Sequence, residues 1–465
     1  MHPTLTPRLM AIALLLLLGG CAVGPDYQRP ATPDLSSFKE AQGWVPAAPA
    51  DALQRGPWWQ LFGDPVLDQL AAQVEVSNQN VAAAVGAYAQ ARALVREQRA
   101  SLFPTVTLNA GGNRSGNGDS SASANSNYQV GLGASWEPDV WGRLGRAADG
   151  AAASAQASAA DLASATLSAQ GELAVNYFSL RQTDAQKALL ASTLTGFQRA
   201  LEITQNRYEA GISPKTDVLQ AQTQLANAQA DAAGLQRQRA QLEHAIAVLV
   251  GQAPGNFSLA PAAWNPVVPE VPVGVPSTLL QRRPDIAAAE RRVAVANGQI
   301  GIAQSAYYPS LNLSASYGLG ASRVADLFSA SSSVWALGLS AAQALFNAGA
   351  TSARVEGSEA AHAQAVARYR QTVLAAFQGV EDQLAATRVL LLQQDLRRQA
   401  SAAADQVEQQ VLNRYRSGQV GYSDVITAQA TALSARRALV QAMADRQTTA
   451  VALIQSLGGG WQVQP

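Results

Sequence analysis

Few residues in this chain have the type and spacing that chemistry requires. Its three histidines, His2, His244 and His362, lie far apart, and none stands at ligand spacing from another metal-binding side chain. No nucleophile motif appears, and the glycine-rich stretch from Gly111 to Gly118 has no helix after it that could bind phosphate. The expectation is therefore no catalytic residue, no metal and no cofactor. One cysteine, Cys21, excludes a disulfide framework within the chain. Basic and acidic side chains balance at 33 each, which excludes the basic excess of a nucleic-acid footprint. Cys21 is the one thiol, and two aspartates, Asp217 and Asp424, stand at matching places in an internal repeat, 207 positions apart (424 − 217). Each aspartate follows a glycine turn and sits in the first turn of a helix, where a carboxylate complements the helix dipole by about 0.3–1 kcal/mol.

The surroundings of Cys21 give it a role. Arg8, an apolar run from Leu9 to Leu18 and then Gly19-Gly20 read as a secretory signal over residues 1–20, too short to span a bilayer. Leu18-Gly19-Gly20-Cys21 resembles the bacterial lipobox, whose cysteine is diacylated; an ordinary signal with an incidental cysteine is the alternative. Residues 21–57, rich in proline and alanine with little periodicity, read as a lipid-anchored tether.

The elements behind the aspartates come in two copies. Asn206-Arg207-Tyr208-Glu209-Ala210-Gly211 recurs as Asn413-Arg414-Tyr415-Arg416-Ser417-Gly418, a spacing of 413 − 206 = 207 positions. After each aspartate runs a heptad seam, in the first copy Val218, Ala221, Leu225, Ala228, Ala232, Leu235, Leu242, Ile246 and Leu249, interrupted only at Arg239. Arg446 stands at the same place in the second copy (446 − 239 = 207). Each copy thus reads as a long helix, a tight turn (208–214 and 415–421) and a second helix. The first helices span about Leu144 to Arg207 and Thr351 to Arg414, roughly 90 Å if unbroken.

Before the long helices the texture alternates. Thr105 to Ala110, Tyr128 to Trp136, Ser310 to Tyr317 and Val334 to Ser340 each put apolar residues on one face and Thr, Asn, Ser or Gly on the other. They form two hairpins, 104–142 and 309–347, each opened by proline (Phe103-Pro104 and Tyr308-Pro309, 205 apart), and Phe346 matches Trp141 at the same spacing. The expected plan is repeat 1 over 58–251, a proline-rich linker over 252–275 and repeat 2 over 276–465. A single helix is expected to lead from Pro65 to about Leu102.

No stretch after Cys21 is apolar for long enough to be a membrane helix. The strands, with aromatics Tyr128, Trp136, Tyr317 and Trp335 near their ends, have the alternation of outer-membrane barrels; a soluble sandwich would share it. Four strands cannot close a membrane barrel, whose smallest examples have eight, and lipid tolerates no open strand edge. The fold class expected is therefore an α+β membrane protein: a long α-helical coiled coil plus a transmembrane β-barrel shared between protomers, four strands per chain, with an internal two-fold repeat.

Several stretches resemble the TolC/OprM-like outer-membrane efflux factors, specifically the NodT-type lipoprotein branch. They are Cys21 to Tyr27, Trp58-Trp59-Gln60-Leu61-Phe62-Gly63-Asp64-Pro65, Trp141-Gly142-Arg143-Leu144, Leu279 to Ile286 with Ala289-Glu290, and Arg414 to Gly418. The resemblance covers essentially the whole mature chain. It implies a homotrimer in outer-membrane lipid extending into the periplasm, lipid-anchored at Cys21. It also implies two partners: a periplasmic membrane-fusion adaptor and an inner-membrane pump of the resistance-nodulation-division type. The implied function is a passive exit duct for drugs or other small molecules, with no enzymatic activity. A channel for type I polypeptide secretion and a periplasmic coiled-coil scaffold are the alternatives. At the helix tips the resemblance implies a gate or constriction at Asp217, Asp424 and Tyr415. It implies adaptor contact at Gly211, Ile212, Ser213, Gly418, Gln419 and Val420. Thr427 and Val420 depart from the family pattern, which carries a second aspartate and a gate arginine in some members.

Overall fold

The computed structural model describes residues 22–32, 37–40, 57–116, 125–271, 283–329 and 332–459. Cys21, the signal segment 1–20 and much of the tether lie outside the described residues, as do positions 272–282 with Arg282. The chain divides into two compact units. One is built from 1–32, 87–159 and 288–371, the other from 33–86, 160–287 and 372–465. Each unit draws on both repeats.

In the first unit, β1 (Thr105–Ser115), β2 (Asn125–Trp136), β3 (Ser310–Ala321) and β4 (Ser333–Ala342) form one antiparallel sheet in the order β1-β2-β3-β4. The strands run further than side-chain alternation suggested. Gly111 to Ser115 and Asn125 to Asn127, expected as loop, continue the ladder to Ser115 opposite Asn125, since pairing needs only backbone groups. Register sorts the sheet into two faces, with Val334, opposite Gly318, the large apolar exception on the polar one. Leu108 stands opposite Leu132, Leu132 opposite Tyr317, and Tyr317 opposite Trp335, while Val106, Val130, Trp136, Leu313, Leu337 and Leu339 share their face. Thr107, Asn109, Gln129, Asn312, Ser314 and Ser340 occupy the other. The apolar face is open: Leu108, Leu132, Trp335, Leu337 and Leu339 are exposed, Leu337 by 77%.

The pairing corrects one detail of the repeat. Thr105 faces Ser135, but Ser310, 205 positions later (310 − 105), faces Ala342, 207 positions later (342 − 135). The two-residue insertion therefore lies within the second hairpin. Gly142 and Gly349, 207 apart (349 − 142), both take positive φ at the turn into a long helix. Phe346 is thus not the counterpart of Trp141. Trp141 stacks on Tyr308 at 4.7 Å and donates to the Pro309 carbonyl at 2.7 Å, whereas Phe346 is 88% exposed.

In this unit the expected tether is held rather than loose from Ala22 to Thr32. The Val23 amide donates to the Trp141 carbonyl, and Arg146 donates to the carbonyls of Gly24 and Pro25. Asn297 also donates to the Pro25 carbonyl, and the Tyr27 hydroxyl to Glu290 Oε1 at 2.5 Å. Gly24, at φ +104, lies so close to Gly301 that a Cβ on it would sit 2.4 Å from the Gly301 Cα.

In the second unit, Trp58–Phe62 forms a 3-10 turn whose Trp58, Trp59 and Phe62 are buried. Asp64 then caps α1 (Pro65–Ser77), accepting from the amides of Val66 and Leu67, with proline in the first helical position. The single helix expected here is two. Asn78 ends α1, starts α2 (Gln79–Ala100) by accepting from the amides of Asn80 and Val81, and donates to the Leu249 carbonyl. Asparagine prefers such caps because its side chain mimics a backbone turn.

Two helices of 67 residues follow the hairpins, α3 (Arg143–Glu209) and, after α5 (Pro284–Ser305), α6 (Ala350–Arg416). Their 35-residue partners are α4 (Lys215–Leu249) and α7 (Tyr422–Ser456). No helix of the described residues is long and apolar enough to cross a membrane. The heptad seam is real packing: Ala228 and Leu235 of α4, with Leu225 and Ala232 beside them, close on Leu190, Leu194 and Phe197 of α3.

Arg239, the break in the seam, bonds Asp184 at 2.7 Å and Glu243 at 3.2 Å, and also donates to the Leu259 carbonyl. Burial works against its charge, but the hydrogen bond and charge of Asp184 raise its pKa above the usual arginine value. Arg181 joins the network through Asp184 and the Ala260 carbonyl, so these arginines fasten the linker expected over 252–275.

Candidate functional site

The helix tips of the second unit carry the residues singled out in the sequence. The turns are backbone copies. α3 and α6 end at Glu209 and Arg416, α4 and α7 begin at Lys215 and Tyr422, and every boundary is 207 apart. Gly211 (φ 72) and Gly418 (φ 75) close the helices with the same bonds: Gly211 N to Tyr208 O, Ile212 N to Arg207 O, Gly418 N to Tyr415 O and Gln419 N to Arg414 O. The amide of the residue after glycine reaching back five positions is a Schellman-type cap, and glycine is the residue that takes its left-handed φ without strain.

Between the copies lies a small core. Tyr415, Tyr422 and Val425 of repeat 2 pack with Ala200 and Ala221 of repeat 1, and Leu201, Ile203, Val411, Val420 and Ile426 close around them. The Tyr415 and Tyr422 rings sit 5.5 Å apart. Arg207 lies over the Tyr415 ring, its guanidinium carbon 4.9 Å from the centroid, and its Nη1 donates to the Tyr415 carbonyl at 3.4 Å. A cation over an aromatic face is worth about 0.5–2 kcal/mol, more as water is excluded. Tyr415 is only 6% exposed, and its hydroxyl makes no hydrogen bond within the described residues.

Burial raises both phenols, Tyr422 to about 12. The Asp217 carboxylate adds to the rise at both, and Arg207 opposes it at Tyr415. Asp217 is therefore half-buried beside the tyrosine pair, while Asp424 is exposed. Thr427 donates to its own helix at the Ser423 carbonyl. Of the other turn residues, Gly211, Ile212, Gly418 and Gln419 are exposed, Ser213 is half-buried, and Val420 packs against the tip core. The sequence reading missed Arg207 and Tyr422. A duplicated Asn-Arg-Tyr was its only signal for the first, and nothing local pointed to the second. Among the described residues no group of His, Cys, Asp or Glu is arranged to hold a metal.

The family model "Outer membrane efflux protein" matches residues 70–252 and 275–459. The chain is 33% identical over 469 residues to the solvent efflux pump outer membrane protein SrpC of Pseudomonas putida, covering 97% of each chain. Its structure is similar to that of the outer-membrane channel OprN, with TM-score 0.86 and 30% identity over 95% of this chain and 100% of that one. It is also similar to the open state of the MtrE outer membrane channel of Neisseria gonorrhoeae, with TM-score 0.85 and 28% identity over 95% and 98%. The fold class expected from the sequence is that of these trimeric channels: long coiled helices and a membrane sheet of four strands per chain. Matched in both repeats by sequence and over nearly its whole length by structure, the chain belongs to the outer membrane efflux protein family and is the outer-membrane channel of an efflux system.

Proposed function

We propose that this chain is the passive exit duct of a tripartite system. Three copies, each anchored through an acylated Cys21, receive small molecules from an inner-membrane pump of the resistance-nodulation-division type by way of a periplasmic adaptor. The observation that carries the reading is the sheet. One face is apolar and exposed, the other carries Thr, Asn, Gln and Ser, and β1 and β4 are both edges. Lipid on the apolar face and strands of neighbouring copies at both edges satisfy every group, and three copies supply twelve strands.

The tips form the periplasmic mouth in this reading. Tyr415 locks the helix ends, Asp217 and Asp424 provide rings of carboxylate, and Gly211, Ile212, Ser213, Gly418, Gln419 and Val420 meet the adaptor. Carboxylates crowded in a narrow ring attract cations. Single-channel recording of purified protein in planar bilayers is the test. Wild type should form channels that prefer cations, Asp217→Ala with Asp424→Ala should weaken that preference, and Tyr415→Ala, which removes the ring that packs on Tyr422 and Arg207, should raise open probability. Absence of channels refutes the duct; conductance and selectivity unchanged in the double and triple variants place the constriction elsewhere.

A further inference from the structure

Tyr208 and Tyr415 are the same residue in the same backbone. Both close an Asn-Arg-Tyr sequence, and both offer their carbonyl to the amide of the glycine three residues on. Their surroundings differ sharply. Tyr415 is 6% exposed and Tyr208 is 43% exposed. Two causes are visible within the chain: Tyr422 packs on Tyr415 at 5.5 Å where repeat 1 has Lys215, and the other repeat covers Tyr415 through the Arg207 guanidinium and the face that carries Ala200. The residue 207 positions beyond Arg207 is Arg414, which is exposed, and the counterpart of Ala200 is Val407, whose apolar side chain is 52% exposed. Repeat 2 thus presents to solvent an arginine and an apolar side chain at the positions with which repeat 1 covers Tyr415.

In a closed ring of three chains, repeats 1 and 2 alternate, so each repeat 2 meets the repeat 1 of a neighbouring copy. A heterologous contact that closes a ring repeats at every step. Because the helix tips of the two repeats share backbone geometry, the step from repeat 2 to the next chain's repeat 1 is the counterpart of the step inside one chain. We propose that Arg414 of each protomer stacks on the ring of the partner subunit's Tyr208, with Val407 covering its flank. The contact copies the Arg207–Tyr415 stack, so the mouth is held by six alternating arginine–tyrosine stacks, three within chains and three between them. The three between subunits are the ones that subunit movement at the tips must break.

This inference rests on the trimeric reading above, and the test separates the two. The full-length protein is made with Tyr208 replaced by the photoreactive p-benzoylphenylalanine and, separately, with Tyr415 so replaced. The assembly state is read first from the native mass of the purified protein. Ultraviolet light should then join the Tyr208 variant into dimers and trimers of the chain on denaturing gels, with adducts mapping by mass spectrometry to residues 407–416. The Tyr415 variant should give adducts to the Arg207 region within one chain. Adding Arg414→Ala should lower the interchain yield of the Tyr208 variant several-fold, while Arg414→Lys should largely preserve it. A protein of monomeric mass overturns the trimer, and with it the contact. A trimer whose Tyr208 probe reacts only within its own chain, or with a neighbour outside 407–416, overturns the contact alone.

Discussion

Asp184 is the group whose removal should cost this fold most for a single small change. Its side chain is 5% exposed and bonds two arginines, Arg239 at 2.7 Å and Arg181 at 3.4 Å, of which Arg181 is equally buried. In Asp184→Ala, Arg239 keeps Glu243 at 3.2 Å and the Leu259 carbonyl, but buried Arg181 is left, among the described residues, with the Ala260 carbonyl and the Tyr177 hydroxyl and no carboxylate bonded to it. Removing one partner of a buried ion pair costs about 3–5 kcal/mol, because the other charge is left uncompensated. Repeat 2 provides the contrast. The positions 207 beyond Asp184 and Glu243 hold Leu391 and Ala450, so Arg446 has neither acid. Its Nη1 meets Gln394 and its Nε has no partner among the described residues, while burial, with Arg398 nearby, lowers its pKa. Arg446→Met should therefore change stability by no more than about 1 kcal/mol, since it gives up one hydrogen bond and relieves an uncompensated cation. Guanidinium unfolding of the detergent-solubilised protein, followed by helical circular dichroism, measures both. With a slope near ~5 kcal/mol/M, Asp184→Ala should lower the midpoint by about 0.6–1 M. Equal midpoints for Asp184→Ala and wild type, or an equal fall in Arg446→Met, would refute the reasoning.

Four further outcomes are expected. Labelled palmitate should enter the wild type and not Cys21→Ser; equal labelling removes the anchor. Leu108→Arg or Leu337→Arg should cost about 2–4 kcal/mol of refolding stability near the bilayer midplane, whereas Thr107→Arg, Asn312→Arg or Ser314→Arg should mainly alter conductance; the reverse order inverts the faces. Tyrosines held neutral by burial contribute stability that is complete below about pH 10 and is lost as pH rises toward 12, because the unfolded chain gives up its phenolic protons first. The protection of the tip amides, the slowing of their exchange relative to the unfolded chain at the same pH, should therefore fall across that window and less so in Tyr422→Phe. Gly301→Val should free the segment 22–32 to proteolysis while leaving the helical dichroism intact, because a Cβ at 301 would press on the Arg146 side chain and the Val23 carbonyl.

The parts of this fold written in local sequence were legible, and those written in contacts between distant residues were not. Strands announced themselves because alternation is a property of neighbours, and the paired glycines marked both tips because positive φ at a helix end selects glycine. The break at Asn78 was readable in principle, since asparagine caps helices, but a continuous apolar period on both sides masked it. The stack of Arg207 on Tyr415 joins residues 208 apart (415 − 207), and neither side chain has a periodic signature. The same holds for the segment from Ala22 to Thr32. Its composition reads as loose chain, yet Arg146, Asn297 and Glu290 hold it through backbone carbonyls and one hydroxyl. Backbone acceptors leave no mark on sequence. At the helix tips, motif position singled out Asp217 and Tyr415, but the packing that buries Tyr415 comes from Tyr422 and Arg207.

What the two repeats have kept and what they have lost follow different physical rules. Helix lengths, the glycine turns and the Asn-Arg-Tyr at each tip are identical or nearly so, and all of them fix geometry. A ring built from alternating copies closes only if each copy turns the chain by the same amount, so these features are constrained together. Charge pairing is under no such constraint. Arg239 needs Asp184 and Glu243 because it is buried while fastening the carbonyl of Leu259. At the corresponding level of repeat 2, Leu391 is 58% exposed, and an acid there would sit largely in water, where an ion pair contributes about 0–1 kcal/mol. An apolar side chain in its place gives up little as an ion-pair partner and offers a surface that other chains can cover. The two copies thus match where helix length and turn fix their geometry and differ where the burial of the side chain differs.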